Sequence, residues 1–321
     1  MNPISVLSFR ESEGKSLSKR KQNDGTTVNS MLIRRPIQRW FPVFILPTFL
    51  CFIIGFIWPF LQGIYLSFCN WLIPTDATWV GWKNYIKAFE DPSFARAFWN
   101  TAGFAAVSIV LINVIAFAIA YALTQKLKGS NLFRTVFFMP NLIGGVVLGY
   151  IWSMIFDGIL KYYNTYLTAD PAYGFWGLVI LVAWQQIGYI MIIYIAGLQS
   201  VSEDMLEAAK IDGANKWQTL FRVTIPNVTP SITICTFLTL TNSFKMYDQN
   251  MALTGGFPIT TLVDGQQIKA TELLALNIYS TYQINKNWHG VAQAKAVIFF
   301  LLVAVLAIAQ LSATRNKEVQ Q

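Results

Sequence analysis

The chain has few charged residues, and their scarcity excludes an ordinary soluble domain. Asp, Glu, Lys and Arg make up 12% of its 321 residues, whereas soluble domains carry about 25%. The charges are also clustered, which leaves charge-free runs over residues 40–75, 98–125, 135–156 and 171–202. Because about 20 apolar residues suffice to cross the hydrocarbon as a helix, these runs predict an all-α, polytopic membrane protein.

The residue types that carry chemistry are scarce as well. His289 is the single histidine, and Cys51, Cys69 and Cys235 lie in or beside apolar runs without the spacing of metal ligands. No carboxylate pair accompanies a nucleophile, and no stretch matches the phosphate-binding pattern G-x-x-x-x-G-K-[ST]. We therefore expect no metal, no cofactor and no catalytic residue in this chain, which argues against an integral-membrane enzyme.

The apolar pattern predicts six membrane spans, at residues 40–70, 98–125, 132–157, 176–199, 229–252 and 290–312. With the N-terminus inside, the cytosolic segments hold 16 Lys and Arg residues. The outer segments and the outer end of the last span, where Lys295 lies, hold 7, and Lys245 lies within the fifth span. The positive-inside rule therefore places both termini in the cytoplasm of a cell-membrane protein. The formal charge of +8 reflects this topology and does not indicate nucleic-acid binding.

The composition also predicts how the chain is organised. Residues 1–34 are polar and basic, which indicates a flexible cytosolic tail rather than a cleavable signal peptide. Residues 35–315 form the membrane domain, with a cytoplasmic loop at 200–228, and residues 316–321 form a short cytosolic tail.

The polar loop between the fourth and fifth spans predicts a helical hairpin. Ser202 is a candidate N-cap, and Gly213 can end the first helix in a left-handed conformation. Trp217 and Phe221 share one face of the next segment, and Pro226 is expected to break it. From the helical pattern alone, an interfacial hairpin packed under the bundle fits equally well.

The sequence of this loop reads Glu-Ala-Ala, two residues, then Asp-Gly-Ala, followed by Phe221 and Pro226. This string resembles the "EAA" loop of ATP-binding cassette import permeases. In that family the loop occupies a cleft of the ATPase subunit and transmits its closure to the membrane helices. The resemblance implies a type I importer permease fold and the coupling residues Glu207, Ala208, Ala209, Asp212, Gly213 and Ala214.

Two further segments, 242–258 and 271–279, look like the carbohydrate-type branch of these permeases, and the likeness spans roughly 35–315. Phe257 departs from a frequent glycine of the family. The resemblance implies a second homologous permease chain forming a heterodimer, two cytosolic ATPase subunits that bind ATP and Mg²⁺, and an extracytoplasmic solute-binding protein. It leaves open other solutes, such as glycerol phosphate.

Polar residues within the fifth span are candidates for the substrate pathway, because polar groups are costly in a membrane. Asn242, Lys245 and Gln249 are spaced to share one helical face, beside Tyr247 and Asp248. Amides and charges on this face could hydrogen-bond sugar hydroxyls. An ion pair between Lys245 and Asp248 that fixes helix packing is the structural alternative.

The third and fourth spans add further candidates. Trp184, Gln185, Gln186 and Tyr189 combine aromatic rings with amides, which suits sugars because their apolar faces stack on rings while their hydroxyls pair with amides. Asn141 in the third span is a further candidate, whereas Asn113 in the second is better suited to joining helices. The aromatic residues of the outer segments, among them Tyr279 and Tyr282, fit either a membrane-interface belt or a docking face.

An ion-coupled secondary transporter is the alternative within transport. It requires buried carboxylates and internal repeats, whereas Asp157 and Asp248 stand near the ends of spans and no repeat is evident. We therefore expect a permease subunit of an ATP-driven importer that translocates a carbohydrate, with an oligosaccharide as the expected substrate.

Overall fold

The computed structural model describes residues 40–41, 43–125, 128–262, 265–284 and 286–315. The predicted tails 1–34 and 316–321 lie outside the described residues. The chain divides between Gly63 and Ile64 into two compact units. In the first unit, Phe52, Phe56 and Phe60 stack along one helix face, with ring centroids 5.1 and 6.3 Å apart.

Helices make up most of the described chain, which confirms the predicted all-α class. Their bounds are α1 Val43–Ser67, α2 Lys83–Glu90, α3 Pro92–Thr124, α4 Ser130–Phe138, α5 Gly145–Leu160, α6 Pro171–Gln199, α7 Glu203–Ile211, α8 Lys216–Asn227, α9 Thr229–Phe244, α10 Asp248–Leu253, α11 Leu274–Ile284 and α12 His289–Arg315. Two small antiparallel hairpins join them, β1 Cys69–Asn70 with β2 Thr78–Trp79 and β3 Ile259–Thr261 with β4 Gln267–Lys269.

Four of the described helices are long and apolar enough to cross a membrane, and the number rises to six if each of two bent helix pairs is one span. Two long spans begin in the same way. Asp91 and Asp170 cap α3 and α6 by accepting hydrogen bonds from the backbone N–H groups two residues on, with Pro92 and Pro171 at the first helical position. An acidic cap followed by proline favours a helix start.

The predicted third span is not one straight helix. The chain bends by 99° between the segments Ser130–Leu142 and Gly145–Tyr163. Pro140 stands in the 3-10 turn Met139–Leu142, and Ile143 and Gly144 are extended, with ψ of 132° and 141°. Proline has no backbone N–H to continue the ladder, so the helix ends there. Average hydropathy gives no sign of such a break.

The predicted fifth span is interrupted as well. The helix α9 ends at Phe244 and α10 begins at Asp248. The 16 residues of α9 extend about 24 Å, which is less than the ~30 Å of the hydrocarbon core. Asn242, Lys245 and Gln249 therefore do not share one continuous helical face, and that prediction is wrong.

The central packing of the second unit joins α3 to α6. Ile112, Ala116 and Ala120 recur every fourth residue on α3 and are fully buried, in one cluster with Leu181 and Ile190 of α6. Small residues at a fixed helical spacing let two helices approach closely, which suits a membrane bundle where packing drives association.

Glycines bring other helices into direct backbone contact. A Cβ at Gly188 in α6 would lie 1.8 Å from the carbonyl oxygen of Phe137. Gly145 and Gly149 form a G-x-x-x-G face on α5, where a Cβ at Gly149 would lie 2.7 Å from the Cβ of Ala252 in α10. Both halves of the broken third span are thus fixed to neighbouring helices.

A buried charge network joins the beginnings of α3 and α12 to α11. The ammonium of Lys295 is fully buried and donates to Asp91, to Asn277 Oδ1 at 3.0 Å and to Thr281 Oγ1 at 2.7 Å. Asn277 in turn donates to Glu272 Oε2 at 2.8 Å. All three ammonium protons have acceptors, which offsets the cost of burying the charge. Sequence reasoning left Lys295 as an outer-end lysine.

We predict that Gly188→Ala destabilises the bundle, because the added methyl group collides with backbone that cannot rotate away. The expected loss is about 1–3 kcal/mol, the usual cost of overpacking. Gly158→Ala is the matched control, since a Cβ on that helical glycine meets nothing within 4 Å. Thermal unfolding of the detergent-solubilised chain measures both variants, and equal midpoints would contradict the close contact.

Candidate functional site

The first candidate site is the hairpin of α7 and α8. The helix α7 begins after Ser202, whose backbone has N-cap geometry although its hydroxyl makes no capping hydrogen bond. Glu203 and Asp204 lie in the first turn and Lys210 in the last. These charges have the signs that the helix dipole favours at each end, and they stabilise a short helix.

Gly213 ends α7 as the sequence predicted. Its φ is +79°, in the left-handed region. Its N–H donates to the carbonyl of Lys210 at 3.1 Å, and that of Ala214 donates to the carbonyl of Ala209 at 3.0 Å. These two bonds form a Schellman motif, which satisfies the last carbonyls of the helix. Glycine is favoured here because a Cβ opposes a positive φ.

The start of α8 is fixed by a capping box that the sequence analysis missed. The side chain of Asn215 accepts from the N–H of Gln218 at 2.9 Å, and Gln218 accepts from the N–H of Asn215 at 2.8 Å. The pattern Asn-x-x-Gln after a glycine could have predicted it. With the Schellman motif before it, the turn between the two helices is hydrogen-bonded on both sides.

The predicted coupling residues differ in exposure. Glu207, Ala208, Asp212 and Gly213 are exposed, Ala214 is half-buried, and Ala209 is buried. Most of the string is therefore free to contact another molecule, whereas Ala209 faces the rest of the chain.

The apolar residues of α8 are also unevenly exposed. Trp217 and Phe221 are 70% and 60% exposed and stack on each other, with ring centroids 6.1 Å apart. Leu220, which precedes Phe221, is half-buried. Two large exposed rings beside the exposed part of α7 extend the surface that this hairpin offers.

Pro226 does not break the segment where the sequence predicted. The helix α8 continues to Asn227 and meets α9 at Val228 with a bend of 69°. A π-helical stretch, Leu220–Thr224, precedes the proline. Its wider turn changes the hydrogen-bond pattern ahead of Pro226, so the missing N–H is accommodated without a kink at that residue.

The second candidate site lies at the two helix breaks. Gln185 is the middle residue of α6 (Pro171–Gln199). Its Nε2 donates to the carbonyl of Ile143 in the third-span break at 3.2 Å, and its Oε1 accepts from Gln249 Nε2 at 2.8 Å. One buried amide thus joins α6 to both interrupted spans.

A cleft of about 250 Å³ opens beside this amide. It is lined by Gln186, Asn242, Lys245, Met246, Tyr247, Asp248 and Gln249. Six predicted pathway residues therefore meet in one place, although the break in the helix, rather than a helical face, brings them together. Amides and charges around a cleft beside the middle of α6 can hydrogen-bond a hydroxyl-rich ligand.

The predicted alternative for Lys245 and Asp248 is wrong. Both side chains are exposed, and no ion pair joins them. The turn at 245–247 separates the two residues, so their i, i+3 spacing does not bring them onto one helical turn. The charges of Lys245 and Asp248 therefore do not neutralise each other in a direct ion pair.

Three other predicted pathway residues do not line the cleft. Trp184 contacts Trp152 edge-to-face, with centroids 5.5 Å apart, and Tyr189 packs against the apolar core. Asn141 lies in the 3-10 turn before the third-span break. Asn113 joins helices as predicted, since it accepts from the hydroxyl of Tyr194 at 2.7 Å.

Metal ligation has no support in the described part of the chain. Within those residues, no group of three or more His, Cys, Asp and Glu side chains could hold a metal ion.

The comparisons with known proteins agree with this architecture. The family model of binding-protein-dependent transport system inner membrane components matches residues 112–315, and the chain belongs to this family. The probable starch degradation products transport system permease protein AmyD of Thermoanaerobacterium thermosulfurigenes is 41% identical over 290 residues, which cover 88% of this chain and 96% of AmyD.

Two further comparisons extend the likeness. The multiple sugar-binding transport system permease protein MsmF of Streptococcus mutans is 29% identical over 90% of this chain and 100% of its own length. A bacterial alginate ABC transporter, solved in complex with an alginate pentasaccharide-bound periplasmic protein, has a chain with a TM-score of 0.71 at 17% identity, covering 88% of this chain and 96% of that one. The type I importer permease fold and the predicted family are confirmed.

We predict that a cysteine at position 208 reacts much faster with a maleimide than one at 209. The variants Ala208→Cys and Ala209→Cys, each in a Cys51→Ser background because Cys51 is exposed, differ only in which side of α7 carries the thiol. Thiol reactivity follows exposure. Labelling of the solubilised chain measures both rates, and equal rates would contradict the orientation of α7.

Proposed function

We propose that this chain is one membrane-spanning permease subunit of an ATP-driven importer, and that it translocates an oligosaccharide delivered by an extracytoplasmic binding protein. AmyD and MsmF, whose names refer to starch degradation products and multiple sugars, support the carbohydrate. The alginate transporter in complex with a loaded periplasmic protein supports delivery by a binding protein.

The observation that carries the proposal is the doubly capped hairpin of α7 and α8. The exposed residues Glu207, Ala208, Asp212 and Gly213 form its outer surface, and we assign them the contact with an ATPase subunit. Ala209 and Ala214 support them from behind. Because the turn is hydrogen-bonded on both sides, a push on α7 is transmitted rather than absorbed.

Both ends of the hairpin are buried in the helix bundle. Val201 and Val228, just before α7 and just after α8, are buried in the main apolar cluster. A Cβ at Gly197 in α6 would lie 2.1 Å from Ser231 Oγ in α9, so these two helices approach closely below the hairpin. Movement of the hairpin therefore acts on α6 and α9 together, which are the helices that border the cleft.

The remaining partners follow from this assignment. Two cytosolic ATPase subunits bind ATP and Mg²⁺ and hydrolyse the nucleotide, and this chain supplies no catalytic residue. A second homologous permease chain completes the pathway as a heterodimer. The excess of Lys and Arg in the segments of the cytosolic side puts both termini in the cytoplasm.

The substrate pathway runs through the cleft. Gln186, Asn242 and Gln249 offer amides to sugar hydroxyls, and Lys245 and Asp248 offer charges. Rocking of the bundle around this point alternates access between the two sides. Trp184, Tyr189 and Asn141 were candidates for the same pathway. They do not line the cleft, so we assign them to the structure that surrounds it.

Uptake of labelled sugars tests the function directly. A strain lacking this gene is expected to lose uptake of maltotriose and maltotetraose and to regain it with the gene restored. Glycerol 3-phosphate is the discriminating competitor, because the cleft holds one lysine and an anionic solute would use it. If the strain lost uptake of glycerol 3-phosphate instead of sugar, the carbohydrate assignment would be overturned. If uptake were driven by an ion gradient without ATP, the assignment to an ATP-driven importer would be overturned.

Crosslinking tests the coupling surface. In the assembled importer, the thiol of Ala208→Cys is expected to crosslink to an ATPase subunit, whereas that of Ala209→Cys, on the buried side, is not. Absence of any crosslink from position 208 in an assembly that hydrolyses ATP would contradict the assigned contact.

We predict that Gly213→Pro uncouples ATP hydrolysis from uptake. Proline fixes φ near −65° and removes the N–H that bonds to Lys210, so the turn at φ +79° must rearrange. The matched control is Gly129→Pro, at a left-handed glycine (φ +82°) that precedes α4. The ratio of sugar imported to ATP hydrolysed is expected to fall in Gly213→Pro and to stay at the wild-type value in Gly129→Pro. Normal uptake in Gly213→Pro would refute the role.

Truncation of one cleft amide tests the pathway. Gln249→Ala is expected to raise KM for the transported sugar by roughly 2- to 12-fold, which corresponds to the 0.5–1.5 kcal/mol of a hydrogen bond. Asn100→Ala removes an amide that bonds to the carbonyl of Ala270 outside the cleft and serves as the control. Unchanged kinetics in Gln249→Ala for every sugar tested would exclude that residue from the pathway.

A further inference from the structure

A second groove lies between α11 and α12, next to the cleft described above. Its volume is about 380 Å³. Tyr247, Tyr279 and Tyr282 form its aromatic side, and Ala292 and Ala296, one turn apart on α12, are the small residues that leave the space between the helices. The sequence analysis assigned Tyr279 and Tyr282 to an outer segment, and the structure places them on one face of the helix α11.

Two ring contacts hold the tyrosines of this groove in place. Tyr247 and Tyr279 meet edge-to-face, with centroids 5.2 Å apart, and Tyr282 stacks on His289 at 4.4 Å. Tyr279 and Tyr282 are 39% and 42% exposed. Their rings are thus held in place by neighbours yet open to a ligand.

The groove adjoins the cleft. Tyr247 lines both the groove and the cleft formed by Lys245, Asp248 and Gln249. His289 begins α12, at the end that the charge distribution puts outside the membrane. A molecule entering from that end meets aromatic rings first and polar groups afterwards.

The chemistry of the groove fits sugar rings better than lipid. Pyranose rings present apolar C–H faces that pack on aromatic rings, while their hydroxyls need hydrogen-bond partners. The tyrosines and Gln293 that line the groove carry such groups, beside a larger apolar surface. Because Tyr247 also lines the polar cleft, an occupant that reaches both spaces needs hydroxyl groups, which an acyl chain lacks.

We propose that the groove between α11 and α12 is an outer subsite for the trailing rings of an oligosaccharide, while the leading ring occupies the cleft. The inference rests on the proposed function and adds to it a determinant of chain length. Tyr279 and Tyr282 stack on the trailing rings. Longer substrates gain contacts there that a disaccharide, held mainly by the cleft, lacks.

The test compares substrates of different length in the complete importer, reconstituted with its binding protein and ATPase in proteoliposomes. The labelled probes are maltose, maltotriose and maltotetraose. Tyr279→Ala is expected to raise KM for maltotetraose about five- to tenfold while KM for maltose changes less than twofold. Tyr279→Phe keeps the ring and is expected to retain most of the preference. Tyr162→Ala is the control, at a tyrosine that is 86% exposed and lies outside the groove. It is expected to leave the preference for maltotetraose over maltose unchanged.

A second variant acts without removing a ring. Ala296→Leu fills the groove, so it is expected to select against maltotetraose in the same way, which keeps the test decisive if Tyr279→Ala folds poorly. Equal changes for all three sugars, or no change, would overturn the subsite. A variant effect that depends on lipid composition and not on sugar length would assign the groove to lipid and equally overturn it.

The proposed function and the subsite fail differently. If the wild-type importer moves none of the three sugars while it remains active in ATP hydrolysis, the carbohydrate assignment falls, and the subsite with it. If wild-type uptake is normal and the length profile of the groove variants matches that of wild type, the subsite alone falls.

Discussion

The buried amide of Gln185 is the interaction on which the arrangement of the bundle's middle depends. A helix that stops inside an apolar layer leaves backbone groups without partners, and such groups are tolerated only where protein or water satisfies them. Gln185 satisfies the carbonyl of Ile143 by donating a hydrogen bond to it. Its side-chain oxygen at the same time accepts a hydrogen bond from Gln249, after the second break. Because one side chain serves both breaks, the interrupted spans meet at a common point, and the polar cleft opens there.

The sequence predicted the fold class, the family and the hairpin well, because each depends on strong local signals. Charge-free runs mark the helices, and Gly213 marks the turn that the structure contains. The breaks at Ile143–Gly144 and at Lys245–Tyr247 were not predicted, because hydropathy averages over about 20 residues and a three-residue interruption leaves it unchanged. The capping box at Asn215 was within reach of the sequence, whereas the partners of Lys295 were not, since they come from segments far apart in the chain.

Several wrong expectations share one cause. A single continuous helix was assumed for the fifth span, which put Asn242, Lys245 and Gln249 on one face and paired Lys245 with Asp248. The structure brings the same residues to one cleft by interrupting the helix. Residue types thus indicated the right place, while regular periodicity gave the wrong geometry. In a membrane, where polar side chains are costly, composition is a more robust guide to a site than helical spacing.

The network around Lys295 has a consequence for motion. Separating the beginnings of α3, α11 and α12 would leave the buried ammonium of Lys295 without the Asp91 carboxylate and the side-chain oxygens that now accept from it. We therefore expect these three ends to move together in any rearrangement. Bending is left to the linkers that lack such ties, and the turn at 245–247, with its exposed Lys245, is the joint beside these ends.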